Sequence, residues 1–330
     1  MDMKGKKVLL FTSVLFSYHI KIKNAIEKLG AEVHLYDERN NPSSLQKIII
    51  RKARFLIQKR TDNYYRFVCM KESSFEPNYI LFVSPEAVTC ESLKQLKKTY
   101  PNATFILYMW DSVKNKKVDN ILPYFDRKYS FDPEDCKKYD MILRPLFYSN
   151  EQKGEMPDEI CEYDFSFIGT VHSDRAKILW NIKEYCDTNK LSYYFYLFVP
   201  GKMLLQLRMR TDRYFRKWEK KYIHTESITK EEVDRVSSKT RCVIDINHPK
   251  QTGLTMRTIE MLGMQRKIAT TNVNVQNYDF YRPENQILLD RKNISISKEM
   301  IISKYMKIED EILEKYSIDY WAKELFNLKL

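Results

Sequence analysis

The sequence predicts an α/β protein built from two similar domains, and three observations carry that expectation. Short apolar runs alternate with amphipathic helical stretches along the chain, which is the pattern of parallel sheets with helical crossovers. The 330 residues suit two domains of ordinary size. A polar stretch at 149–162 (SNEQKGEMPDEICE) separates two such series near the middle.

The first series opens with KVLLFTS after Lys6, an apolar run read as a buried strand. A helix over 20–29 follows, with Gly30 as its cap, and then the strand AEVHLYD. YILFV (79–83), the helical ESLKQLKKTY, TFILYMW (104–110) and the runs at 126–131 and 139–143 continue the alternation. The second series begins at YDFSFIGT (163–170). A helix over 174–189, YYFYLFV (193–199), RCVIDIN (241–247), a helix over 254–265, KIATT and QILLD (286–290) follow it. Residues 309–328 read as a terminal helix. The expected division is 1–150, 151–310 and a helix over 311–330 that packs back on the first domain. The fold class is therefore two Rossmann-like domains facing across a cleft.

Composition narrows the function classes. No apolar run approaches the roughly 18 residues a membrane span needs. MDMKGKKVLLFTSVLF has a basic head and an apolar stretch, but no small-residue cleavage site follows, so it reads as the first strand rather than a signal peptide. The six cysteines are scattered with no CxxC pair, which predicts reduced structural thiols in a cytoplasmic protein and no zinc site. A formal charge of +12 implies an anionic partner: nucleic acid, a membrane surface or a phosphorylated small molecule.

Two stretches have the form of phosphate-binding turns. FIGTVHSDR places Gly169, Thr170, His172, Ser173 and Arg175 where a strand ends and a helix begins. A glycine there lets a ligand approach the backbone, and a helix N-terminus with an arginine favours phosphate. An ordinary βα turn capped by Ser173 or Asp174 is the alternative. In TGLTMRTIEMLGMQRKIATTN a helix is expected to open near Thr252-Gly253 and to carry Thr255, Arg257 and Glu260. The spacing of Gly253, Arg257 and Glu260 puts them on one face, with the arginine placed for a diphosphate and the glutamate for a ribose diol. A surface pair between Arg257 and Glu260 is the alternative. The first domain has no glycine fingerprint at its first turn, TSVLFSYH, which argues against NAD or FAD there.

With YDFSFIGTVHSDR, TGLTMRTIEMLGMQRKIATTN and a terminal helix bearing Tyr320-Trp321, the sequence resembles the GT-B glycosyltransferases, in particular a CgeB-like branch of bacterial surface polysaccharide synthesis. The resemblance covers nearly the whole chain in architecture. It implies a nucleotide-sugar held by the second domain, with the donor roles falling to Gly169, Thr170, His172, Arg175, Gly253, Thr255, Arg257 and Glu260. It implies no cofactor and no metal, in keeping with the lack of a D-x-D motif. Retaining members carry two glutamates eight positions apart. Here Thr252 stands eight before Glu260, which leans the reading toward inversion.

An inverting transfer needs a general base for the acceptor hydroxyl. His19, Glu86 and Asp111 all follow strands of the first domain and are the candidates. Packing of His19, a first-turn position for Glu86 and a helix cap at Asp111 are their structural alternatives. Two basic stretches, 47–60 and 202–224, interleave six and eight Lys/Arg with apolar residues. They read as amphipathic helices for an anionic membrane surface, which would bring a glycan or lipid-linked acceptor within reach. A solvated basic face is the alternative, and nucleic acid a third reading. Two other functions fit the same chain: a non-enzymatic basic module, or a sugar-nucleotide epimerase that needs no acceptor.

Overall fold

In the computed structural model, residues 3–154, 161–249, 251–294 and 296–328 are described, and 155–160 of the expected linker lie outside them. The chain divides into two compact units, Met1–Leu146 with Ile318–Leu330, and Phe147–Ser317.

The first unit runs β1 (Lys7–Thr12), α1 (Tyr18–Lys28), β2 (Glu32–Asp37), α2 (Ser44–Lys52), α3 (Gln58–Lys71), β3 (Tyr79–Val83), α4 (Cys90–Thr99), β4 (Thr104–Met109), α5 (Val113–Lys116), β5 (Arg127–Ser130), α6 (Pro133–Tyr139) and β6 (Ile142–Leu143). All its strand pairs are parallel, in the order β2-β1-β3-β4-β5-β6. Val8, Leu9, Leu10 and Phe11 are all fully buried. A strand covered on both faces needs such an unbroken apolar run, because helices pack above and below a parallel sheet. Gly30 follows α1 with φ 102°, the left-handed C-terminal turn that glycine adopts without strain.

The second unit runs β7 (Tyr163–Thr170), α7 (Arg175–Asn189), β8 (Tyr193–Phe198), α8 (Lys202–Thr211), β9 (Ile223–His224), α9 (Lys230–Ser238), β10 (Thr240–Asp245), α10 (Met256–Gly263), β11 (Lys267–Thr270), β12 (Gln286–Leu288), α11 (Lys298–Ile302) and α12 (Asp310–Lys315). Its sheet is also parallel, ordered β12-β11-β10-β7-β8-β9. Phe165, Phe167, Ile178, Ile182, Ile244 and Ala269 belong to its core. The chain leaves β7 toward β8 on one side and later returns to β10 on the other. The gap between β7 and β10 is therefore the topological switch point, where open α/β sheets bind ligands. In the first unit β1 and β3 flank the corresponding gap.

Three sequence expectations need correction. The helix expected over 309–328 is two: α12, and α13 (Ile318–Leu325), which packs in the first unit with Trp321 fully buried against Tyr108. The 47–60 stretch is not one helix. α2 stops at Ala53 (φ −144°, ψ 49°), and Arg54 turns back to donate to the carbonyls of Lys116 (2.6 Å) and Lys117 (3.2 Å). The α-helix of the 202–224 stretch ends at Thr211, and only short 3-10 turns at Phe215–Lys217 and Lys220–Tyr222 follow. Asp212 accepts from the Tyr214 and Phe215 amides, and Phe215 and Trp218 are buried rather than lying on an outer face. Among the described residues no helix is long and apolar enough to cross a membrane.

Candidate functional site

The second sheet concentrates its polar side chains at its switch point. β10 ends at Asp245, whose side chain is buried among hydroxyls. Its Oδ2 accepts from Thr255 Oγ1 (2.9 Å), Thr258 Oγ1 (3.1 Å) and Thr270 Oγ1 (3.3 Å). Thr255 is also the N-cap of α10, accepting from the Thr258 amide at 3.2 Å. A buried carboxylate thus fixes the first turn of this helix through the capping residue itself.

This corrects the expected helix start. Threonine, not glycine, caps α10, and Gly253 lies in the loop before it, where its carbonyl accepts from Asn272 Nδ2 (3.0 Å). Gly253, Arg257 and Glu260 therefore do not share one helical face. Arg257 reaches β7: it donates to the Ile168 carbonyl, stands 3.9 Å from Asp245 Oδ1, and its guanidinium lies 5.3 Å from the Phe167 ring. A Cβ at Gly169 would stand 3.4 Å from the Arg257 Nη2 and 3.3 Å from the Phe167 ring, so the bare backbone gives the guanidinium its room. Glu260, one turn on, is buried and paired with Lys230 of α9 at 3.0 Å.

Arg175 opens α7 and ties the two strand ends together, donating from Nε to the Ile246 carbonyl (2.9 Å) and from Nη1 to the Thr170 carbonyl (2.8 Å). Burial, and then the neighbouring Arg257, pull its pKa down to about 10. A third arginine is absent from the sequence reading. Arg291 donates to both oxygens of Asp174 (2.9 and 3.0 Å), to Asn247 Oδ1 (2.6 Å) and to Thr271 Oγ1 (3.1 Å). Nothing in its local sequence, LLDRKN, marks it, because its partners lie 20 to 117 positions away. Three guanidiniums against Asp174 and Asp245 leave this edge cationic.

His172 sits at the same edge, 3.2 Å from Ser173 Oγ, with its ring 6.0 Å from that of His248. Burial, with Arg175 next, lowers its pKa to about 4, so it is neutral near pH 7. Ser173 has a left-handed backbone (φ 51°), and Asp174 makes no side-chain cap on α7. Thr170 and Gly169 end β7 beside this group.

The three candidate bases of the first unit have different surroundings. Glu86 is buried, with Lys116 Nζ at 2.9 Å, Arg39 Nη1 at 3.3 Å and Arg51 Nε at 3.9 Å. Burial alone would raise its carboxyl, but Lys116, Arg51 and Arg39 outweigh it and hold the pKa below the usual value. Asp111 accepts from the Ser112 amide (2.9 Å) and from Asn115 Nδ2 at both oxygens (2.9 and 3.1 Å). His19, in the first turn of α1, is partly exposed, and its Nδ1 is buried without a hydrogen-bond partner. Burial lowers its pKa, against a smaller upward pull from Asp37. Beside Glu86 lies a fully buried carboxyl that the sequence does not flag. Glu38 accepts from the Glu86 amide (3.1 Å) and the Ala87 amide (3.0 Å), and burial pushes its pKa up to about 7.

Among the described residues no group of three or more His, Cys, Asp or Glu could hold a metal ion. No protein-family model and no curated protein matches the chain. Solved structures do match it over its length. The apo form of the lipopolysaccharide outer core galactosyltransferase WaaB is 11% identical over 97% of this chain and 98% of that one, with a TM-score of 0.54. A structure described as trehalose-6-phosphate from E. coli bound with UDP-2-fluoro glucose is 9% identical over 98% of both chains, TM-score 0.63. UDP-GlcNAc 2-epimerase from Neisseria meningitidis, bound to UDP-GlcNAc, is 11% identical over 97% of this chain and 98% of that one, TM-score 0.51. At these identities the likeness is one of fold: two parallel six-stranded sheets, each with its helices, in the two-domain α/β architecture of GT-B glycosyltransferases.

Proposed function

We propose that this chain is a metal-independent, inverting glycosyltransferase that moves a sugar from a nucleotide-diphosphate donor to a glycan hydroxyl. One observation carries the reading: Arg175, Arg257 and Arg291 converge on the switch point of the second sheet, at the start of α10. The leaving diphosphate carries the charge that develops in such a reaction, and fixed cations aimed at it stabilise the transition state. Arg257 is the direct ligand in this proposal. Arg175 and Arg291 hold the strand ends and contribute their field. Gly169 and Thr170 line the approach, neutral His172 donates a hydrogen bond, and Glu260 accepts from the ribose.

The acceptor side is assigned to the first unit, with His19 as the base. Glu86 is locked by three cations and Asp111 by Asn115, while His19 is kept neutral and ready to take a proton. A lipid-linked acceptor of bacterial surface polysaccharide, in a CgeB-like setting on the cytoplasmic membrane face, fits the exposed Phe55 and Leu56 beside Lys52 and Lys59, and Met203 and Leu207 beside Arg208 and Arg210. A sugar-nucleotide epimerase is the second reading, favoured by the fold likeness to one. It would release an altered sugar with no acceptor present.

The test is a thermal-shift panel of UDP, GDP, CDP, ADP and dTDP, with and without magnesium. One nucleotide at 100 times its Kd should add about 2.7 kcal/mol, independent of magnesium. No shift with any of them, with salt-sensitive binding to anionic vesicles or oligonucleotides instead, overturns the reading in favour of a non-enzymatic basic module.

A further inference from the structure

A cleft of about 320 Å³, part of it open to solvent, lies between the loop that follows β2 and the helices α2 and α3. β2 is the outermost strand of the first sheet, so the cleft sits at the sheet's edge rather than at the gap between β1 and β3. Arg39, just past the end of β2, is part of its wall. That side chain is only 8% exposed, with Nη1 3.3 Å from Glu86 Oε1, yet its Nε is buried with no hydrogen-bond partner. Asp37 Oδ1 stands 3.6 Å from this Nε, too far to bond it. A buried guanidinium donor left unbonded costs stability, which marks the place as one that lacks an acceptor.

The rest of the wall supplies more donors and an apolar side. Arg60, on α3, is exposed and has neither an ion pair nor a hydrogen bond among the described residues. Gln46, on α2, accepts from the Ser43 amide at Oε1 (2.9 Å), which leaves its Nε2 as a donor. Asn40 brings a second amide side chain on a left-handed backbone (φ 57°). Ile50, Ile57 and Pro42 form the apolar part. Glu86 and Asp37 already oppose Arg39, so the positive charge left over at this wall is that of Arg60.

We propose that this cleft binds a short aliphatic carboxylate as an effector, its oxygens held by Arg60, Arg39 and the amides of Asn40 and Gln46, its alkyl chain laid on Ile50, Ile57 and Pro42. A guanidinium is a planar fork that matches a carboxylate. One leftover positive charge suits a monoanion rather than a phosphate dianion. The ligand would touch the β2–α2 loop, α2 and α3 at once, and so brace them together. None of this depends on the transferase reading, because neither a donor nor an acceptor sugar takes part. The buried carboxyl of Glu38 also lines the cleft and couples it to pH. Burial pushes its pKa up to about 7, against the Ala87 and Glu86 amides and Arg39, which favour its charged form. The Glu86 carboxylate also faces it, Arg54 lies in its field, and Tyr64 and Tyr65 of α3 flank it. Below pH 7 the group is neutral and tolerates an anion beside it. Above pH 7 it is charged and repels one.

The probes are sodium butyrate, sodium acetate and sodium phosphate, titrated into the full chain at an ionic strength fixed with sodium chloride, and read by calorimetry and melting temperature. Butyrate should bind about tenfold more tightly than acetate, from the two further methylenes it buries. Arg60→Gln should weaken butyrate about tenfold or more by removing a charge-assisted bond, and Arg60→Lys should fall between. Arg60 is exposed and unpaired, so the fold tolerates both changes. Asn40→Gly keeps the left-handed turn, removes the amide and should cost about fivefold. Butyrate should bind more weakly at pH 8 than at pH 6, and Glu38→Gln should abolish that difference. Neither heat nor a rise in melting temperature with butyrate overturns the proposal. So does equal affinity for acetate and butyrate, phosphate bound more tightly than either, or an Arg60→Gln variant that binds butyrate as the parent does.

Discussion

Replacing Arg257 by alanine separates a structural arginine from a functional one. The guanidinium gives up a charge-assisted hydrogen bond to the Ile168 carbonyl and its place over the Phe167 ring. Those losses are worth about 1.5–3 and 0.5–1 kcal/mol. Relief of its repulsion with Arg175 offsets part of them. A net cost of about 1–2 kcal/mol lowers the melting temperature of a unit this size by roughly 2–8 °C. If Arg257 also meets the donor diphosphate, a further transition-state contribution of about 2–4 kcal/mol disappears. That lowers kcat/KM by roughly 30- to 1000-fold. Arg257→Lys keeps the charge without the planar fork and should fall between, near tenfold. The assay pairs a melting curve with the affinity for the nucleotide that stabilises the parent, and with donor turnover. An alanine variant that melts lower but binds the nucleotide within twofold of the parent refutes the assigned role and leaves Arg257 a clamp between α10 and β7.

Two more predictions concern the first unit. Glu38 has a folded pKa raised to about 7, so the folded state holds its proton more tightly than the unfolded chain. Its contribution to stability is complete below about pH 4.5 and is lost as pH rises through 7, by about 3 kcal/mol in all. Glu38→Gln should remove that slope, and urea unfolding at pH 5.5 and pH 8 reads it; a parent equally stable at both contradicts the assignment. His19→Ala should lower transfer by about 100-fold or more with little change in melting. Glu86→Gln should do the reverse, costing about 3–5 kcal/mol by leaving Lys116 and Arg39 without their buried partner, while the folded fraction stays active. Melting curves and product formation on both variants check the pair, and an inactive but stable Glu86→Gln would return the base to Glu86.

The parts of the fold legible in the sequence are those with local causes. β1, β3 and β4 are buried apolar runs, and a parallel strand covered on both sides must read that way. The breaks after Ala53 and Thr211 were not legible. Arg54 is drawn to carbonyls 62 and 63 positions away, and Asp212 ends its helix inside a run that keeps its basic and apolar mix. The candidate site divides in the same manner. Arg257 stands out because a helix start and an arginine lie close together in sequence. Asp245, which fixes that helix start, looks like one more strand residue until its three threonines are brought around it. Glu86 looks like a free carboxylate because its cations come from positions 39, 51 and 116.

The placement of α13 bears on how the protein is made. Trp321 and Ala322 complete the core of the unit that begins at the N-terminus, yet they leave the ribosome only after the whole of Phe147–Ser317. The second unit has no such delay. The Tyr148 amide donates to the Tyr316 carbonyl at 2.9 Å, so its two ends are fastened side by side and it needs no residue beyond Ser317 to close. Vectorial synthesis therefore reverses the order of the chain: the unit translated second is finished first, and the unit translated first waits with Tyr108 uncovered. A chain cut back to Ser317 would therefore keep every residue of the second unit and leave the first with an uncovered, sticky apolar surface, a substrate for chaperones.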